Sequence, residues 1–230
     1  MRIDEDFLYD YFNSKGLKYL YHANSVKTSC NFLSHDALLS RGAVERLNLL
    51  QSTQSSDKID KEYGIWFDVW LDTVDIHKRR DDINFYGPVL FELKNKILFS
   101  IESGEWWITK LNPTKWAGKT EHEKWFQSTQ EVKNDFQIGT FDHILVLRHS
   151  GGQLNYKKNV NKIILDDPNL IQISTEIDLH SQAYGALQAS MKDSKYYCKI
   201  ERRMCSIDCK CISNWFKDQE RLFKLFDPIN

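Results

Sequence analysis

The sequence predicts an α+β chain in which short, mostly antiparallel strands are flanked by helices, and three observations carry that reading. Apolar runs such as Ile65 to Leu71 and His143 to Leu147 have strand length and are bounded by turn residues. The connections between such runs lack the strand-helix-strand alternation that builds a parallel sheet. Thirteen Phe, ten Tyr and seven Trp make the chain aromatic-rich, which suits a pleated surface better than a plain helical bundle.

Taken in order, Phe7 to Phe12 predicts a short amphipathic helix that stops near Asn13 to Gly16. Leu17 to His22 is the first strand, and Val26 to Leu50 is mostly helical with a break at Gly42. Gln51 to Glu62 holds one apolar residue in twelve, so it is expected as an exposed loop of the kind that can cover a site. Ile65 to Leu71 is a buried strand, and Asp72 or Thr73 caps a helical turn through Arg79. Pro88 to Leu93 is the next strand, introduced by the turn residues Asn84 to Gly87. Ile97 to Ile101 and Trp106 to Leu111 read as a hairpin across Glu102 to Glu105. Thr120 to Asp135 is a polar helix, and His143 to Leu147 and Lys162 to Leu165 are strands on either side of the Gly151-Gly152 turn. Leu179 to Met191 and Ile212 to Phe226 carry apolar residues at helical spacing.

With 230 residues, the chain is long enough for one domain with a continuous core, spanning 1–230, in which 172–230 could form a helical extension. Its 31 basic and 32 acidic residues nearly cancel, so no global positive field draws it to nucleic acid and any basic surface must be local. Acids at Asp4, Glu5 and Asp6 stand where a secretory signal would need a basic start, and no apolar run approaches membrane-spanning length. A soluble, cytoplasmic protein with no membrane partner is the expectation. Five cysteines, four of them between Cys198 and Cys211, agree with a reducing compartment better than with a disulfide scaffold.

The stretch most suggestive of function is Tyr19 to Glu45, YLYHANSVKTSCNFLSHDALLSRGAVE. A short apolar run ends on His22, a polar cluster follows, and a helix-like segment closes on Leu38-Leu39-Ser40-Arg41-Gly42. A histidine at a strand end can face a cleft, although such a histidine is more often hydrogen-bonded for structure. This layout resembles the opening of the ADP-ribosyltransferase superfamily, in its PARP-like and DarT-like branches, where a "YH" or "WH" strand precedes a small polar pair and "GLLS"-like residues. The order of later elements, to about residue 170, is similar as well.

The resemblance implies a split, mostly antiparallel sheet of the ADP-ribosyltransferase type. It implies NAD as co-substrate and mono-ADP-ribosyl transfer to a macromolecule, nucleic acid before protein. A toxin or anti-phage effector with an antitoxin or defence-system partner would follow from the same likeness. Carried onto this sequence, His22 would hold the nicotinamide ribose, with Ser25 in the polar pair after it. Arg41 would meet phosphate, and Tyr63 or Tyr86 would stack near nicotinamide. The family's catalytic glutamate falls where this chain has Asp142-His143, so Asp142, or an acid from Glu92, Glu102 or Glu105, would act on the ribose. A non-catalytic nucleotide-binding module is the third possibility.

Other residues invite different readings. Asp68, Asp72, Asp75 and His77 are dense enough for a cation site, yet caps and surface charges explain them equally well. Glu92 and Lys94 share a strand face, with Asp81 and Asp82 upstream, as in a metal-dependent PD-(D/E)xK nuclease; a cross-strand ion pair is the plainer account. Cys198, Cys205, Cys209 and Cys211 lack the pairwise spacing of structural zinc sites, so the reading is a metal-free cluster packed between helices. Basic and aromatic residues from Lys195 to Lys210 fit either a nucleic-acid track or a solvated flank.

Overall fold

The computed structural model describes residues 2–80, 82, 84–168, 171–172, 177–192, 194–204 and 209–229. It is a mixed α+β fold with mostly antiparallel sheets and flanking helices. A four-stranded sheet runs in the order β1 (Tyr19–Asn24), β4 (Val89–Lys94), β8 (Val160–Asp167), β11 (Ile200–Met204). The first three strands are antiparallel, and β11 lies parallel to β8. A second, three-stranded antiparallel sheet has β6 (Leu145–Arg148) between β3 (Val69–Leu71) and β5 (Glu105–Ile108). Two small pairs complete the strands: β2 (Ala37–Leu39) with β7 (Gln153–Asn155), and β9 (Ile171–Gln172) with β10 (Ile177–Asp178).

The two larger sheets touch where β1 meets the end of β3. Tyr21 and Asp72 exchange both backbone hydrogen bonds there, each 2.8 Å. β4 is buried along almost its whole length, as the central position between β1 and β8 demands. Phe91, Leu93 and Leu165 join Leu20 in a core that also takes Phe32 and Leu33 from α2 (Val26–Ser34), Ala183 and Leu187 from α8 (Leu179–Ser190) and Leu222 and Phe226 from α10 (Gln219–Phe226). A smaller aromatic cluster, Ile65, Trp116, Trp125 and Val146, covers the other side of β6.

Local chemistry sets the element ends. Asp4 caps α1 (Glu5–Ser14) through the amide of Phe7. Ser25 caps α2, and Ser40 caps α3 (Arg41–Arg46) through the amide of Ala43 at 3.1 Å. Each hydroxyl or carboxylate satisfies an amide that the first turn leaves unpaired.

Several expectations need correction. The helical stretch from Val26 to Leu50 is interrupted by β2, and Gly42 lies inside α3 because its amide bonds to the Trp66 carbonyl and a side chain there would collide with Trp66 and Phe67. Asn95–Ser100 is a 3-10 helix, so β5 pairs with β6 and not with a hairpin partner. The helix expected over Thr120 to Asp135 splits into α6 (Glu121–Lys124) and α7 (Thr129–Asp135), because Trp125 leaves the helix to bridge Thr109 and bury its ring. The last expected helix breaks at Asp218 into α9 (Cys211–Lys217) and α10, with Asp218 capping the second. The segment after residue 172 is more than a helical extension, since β11 completes the main sheet. Among the described residues, no helix is long and apolar enough to cross a membrane.

Candidate functional site

The line where the two sheets meet is also the floor of a cleft of about 920 Å³, counted to its open mouth. Five of the residues singled out in the sequence line it: His22, Arg41, Asp68, Asp72 and Tyr86.

His22 is brought there by the register of β1. The ring packs 5.4 Å from Phe32, and Nδ1 lies 2.8 Å from the carbonyl oxygen of Trp70 on β3. A carbonyl only accepts, so Nδ1 carries the proton and Nε2 presents a lone pair. Nε2 is buried and has no hydrogen-bond partner among the described residues. Burial pushes the imidazole pKa down, against the opposing pull of the Trp70 carbonyl, which keeps the ring neutral.

Arg41 is held as a fork by Asp57, Nε to Oδ1 at 2.9 Å and Nη2 to Oδ2 at 2.7 Å, and its guanidinium lies 5.6 Å from the Trp66 ring. Its remaining Nη1 is buried with no hydrogen-bond partner among the described residues. Tyr86 reaches the cleft because Gly87 follows it. At φ +147°, Gly87 lies so close to β1 that a Cβ would come within 2.1 Å of the Asn24 backbone. Burial and the nearby Asp72 and Asp60 raise the phenol to about 12, so it stays a neutral hydrogen-bonding ring.

Three carboxylates line the same cleft. Asp72, at the joint of the sheets, is raised to about 7 by burial, with Arg79 opposing. Asp68 is raised to about 6 by burial, although Arg148 pairs with it at 2.8 Å. Asp60 is also raised to about 6 by burial, and it accepts from the Ser56 hydroxyl at 3.1 Å. Asp60 belongs to α4 (Asp57–Glu62). The segment expected as an exposed loop is therefore partly helical, and it covers the cleft with Gln54, Ser56, Ile59 and Asp60. Asp68 and Asp72 stood out in the sequence as acids in a dense run. Asp60 carried no signal, because only tertiary burial distinguishes it from its charged neighbours.

The remaining candidates do not line the cleft. Ser25 is fully buried and spent on capping α2, with its hydroxyl 3.1 Å from Thr28 Oγ1. Tyr63 packs against Trp116 at 5.5 Å, under Lys124. Asp142 accepts from the amide of Asn112 at 3.0 Å and from Lys115 Nζ at 2.8 Å. Its pKa, raised by burial, is brought below the usual carboxylate range by Lys115 and the Asn112 amide. It ties down a loop whose Asn112, Pro113 and Thr114 do border the cleft.

The acids of the nuclease reading are engaged elsewhere. Glu92 accepts from Asn161 at 2.6 Å, Asp82 accepts from Asn214 at 2.6 Å, and Asp81 lies outside the described residues. Glu102 accepts from Asn155, and Glu105 faces His149 at 3.6 Å. Of the cysteines, Cys205 lies outside the described residues, while Cys209 and Cys211 are adjacent to His77. No protein-family model matches this sequence, and no curated protein matches it.

Proposed function

We propose that the chain is an NAD⁺-dependent mono-ADP-ribosyltransferase acting on a macromolecule, with nucleic acid favoured over protein as acceptor. The observation that supports this most is that His22, Arg41 and Tyr86 converge on one cleft at the junction of two small sheets. The donor set suits the co-substrate. His22 Nε2 is an acceptor for a ribose hydroxyl, Arg41 Nη1 is a donor for the pyrophosphate, and Tyr86 offers an aromatic face. NAD⁺ supplies the ADP-ribosyl group: its bound nicotinamide ring is a cationic pyridinium, and when the bond to the ribose breaks the ring departs as neutral nicotinamide and the positive charge passes to the ribose. Asp60, Asp68 and Asp72 make the cleft electrostatically favourable to that cation, most strongly once they are ionised. In this reading the carboxylate beside the ribose comes from these three acids, because the oxygens of Asp142 are engaged by Asn112 and Lys115.

The acceptor side is suggested by a broader groove that shares Gln54, Ser56 and Tyr86 with the cleft. Exposed Phe85 and Phe141 line it, with Arg221 4.4 Å from the first ring and Arg79 5.7 Å from the second. Aromatic faces beside guanidinium groups suit unpaired bases and their phosphates. The position of Asp142 favours a second reading, a nucleotide-binding module without transfer.

Calorimetry with NAD⁺ tests the binding. His22→Ala should weaken affinity by about 1–3 kcal/mol through the lost acceptor, and equal affinity in both proteins, or none in either, would sink the proposal. Nicotinamide release in the presence of single-stranded DNA or RNA separates transfer from binding alone.

A further inference from the structure

The geometry points to a zinc site, held by His77, Cys209 and Cys211, beside the ends of β8 and β11. Their ligand atoms all lie within 4.8 Å of one another. His77 Nε2 is 3.6 Å from each sulfur. In a tetrahedral zinc site, with bonds near 2.0 Å to nitrogen and 2.3 Å to sulfur, the nitrogen-to-sulfur edge is about 3.5 Å. The two sulfurs are 2.8 Å apart. They are beyond the bonded distance of a disulfide, about 2.05 Å, and need to open by about 1 Å to reach a tetrahedral sulfur-to-sulfur edge.

The surroundings are arranged as a metal site requires. His77 Nδ1 lies 3.3 Å from Asp166 Oδ2, so the carboxylate holds the proton on Nδ1 and turns Nε2 to the sulfurs. Asp166 is fixed in turn by Arg203 of β11, which also pairs with Asp75. Asp75 accepts from the His77 amide at 3.1 Å, setting the start of α5 (Ile76–Arg80). The amide of Cys211 donates to Cys209 Sγ at 3.4 Å, which fixes the position of that sulfur. His77 and Cys211 are buried, and Cys209 is half-buried.

Two thiolates and a neutral imidazole form a borderline-soft set that selects zinc over calcium or magnesium. Two thiolates also neutralise the ion, while Arg203 offsets Asp166, so the buried site carries no large net charge. Among the described residues three donors are present, filling three corners of a tetrahedron. The ion would fasten α5, which follows Asp72 at the cleft floor, to the chain after β11. The assignment is independent of what the cleft binds.

Metal analysis of the full chain, purified under reducing conditions without chelator, is expected to give about one zinc per molecule. Cys209→Ser, Cys211→Ser and His77→Ala should each lose it, whereas Cys30→Ser and Cys198→Ser should keep it. Asp166→Asn should weaken zinc affinity by about 10- to 100-fold in chelator competition. If the ligand variants do not fold, cobalt substitution of the unaltered protein decides, because a thiolate-to-cobalt charge-transfer band requires sulfur ligation. Absence of that band, absence of stoichiometric zinc even after zinc is added, or unchanged zinc content in a folded Cys209→Ser/Cys211→Ser variant would overturn the site. So would a Cys209–Cys211 disulfide in freshly isolated, metal-free protein.

Discussion

Burial at the cleft floor raises the Asp72 carboxyl from 3.8 to about 7, and this has a definite sign in stability. Between those values the folded chain holds a proton that the unfolded chain has released, so the folded state loses stability as pH rises from about 4 to about 7. Asp72→Asn should remove that slope. Its melting temperature should gain more at pH 8 than at pH 5, each 1 kcal/mol being worth about 2–4 °C in a chain of this size; an unchanged slope would show that Asp72 titrates normally. The same ionisation, with Asp60 and Asp68 at about 6, should strengthen NAD⁺ binding as pH rises from about 5.5 to about 8, and flat affinity over that range would remove the acids from nicotinamide recognition. Asp142 makes a contrasting case. Its partner Lys115 is exposed, so water screens the pair strongly, and Asp142→Asn should cost at most about 1 kcal/mol. NAD⁺ consumption per folded molecule should be unchanged, while a fall of about 10²-fold would return the ribose chemistry to Asp142.

At the scale of elements, the anchoring of the covering segment is specific. α4 is clamped to α3 by the Arg41–Asp57 fork, and Gln54 donates to Asn24 at the end of β1. Asp57→Ala should open residues 51–62 to protease while the sheets stay protected, and no change in cleavage would mean that α4 is held by other contacts. Gly87→Ala, which drives a Cβ into the Asn24 backbone, should destabilise by more than about 1 kcal/mol and displace Tyr86. How much of this was legible in sequence depends on whether a signal is local. β1, β4 and α8 show in their apolar spacing and caps, and α5 shows as a helical turn, although Asp75 caps it in place of the expected Asp72 or Thr73. β11 does not, because Ile200–Met204 alternates apolar and charged residues weakly and becomes a strand only beside β8. α6 and α7 read as one helix because the pull of Trp125 into the aromatic cluster is a tertiary effect.

For the whole molecule, the C-terminal quarter cannot be peeled away. β11 extends the main sheet, and α10 packs on α2 and α8, so truncation after residue 171 should yield an unfolded or aggregating chain; a soluble, cooperatively melting 1–171 fragment would show an independent core. The cleft itself was half legible. His22, Arg41 and Tyr86 stood out by motif and composition, whereas Asp60 and the engagement of Asp142 needed the three-dimensional neighbours. One feature reaches furthest, the paired hydrogen bonds between Tyr21 and Asp72. They stitch the two sheets together at a point, beneath the place where a ligand would lie. A molecule seated in the cleft touches both sheets and braces that hinge, so the amide protons of Tyr21 and Asp72 should exchange with deuterium more slowly on binding. Protection at these two positions would report occupancy directly, whatever the ligand proves to be.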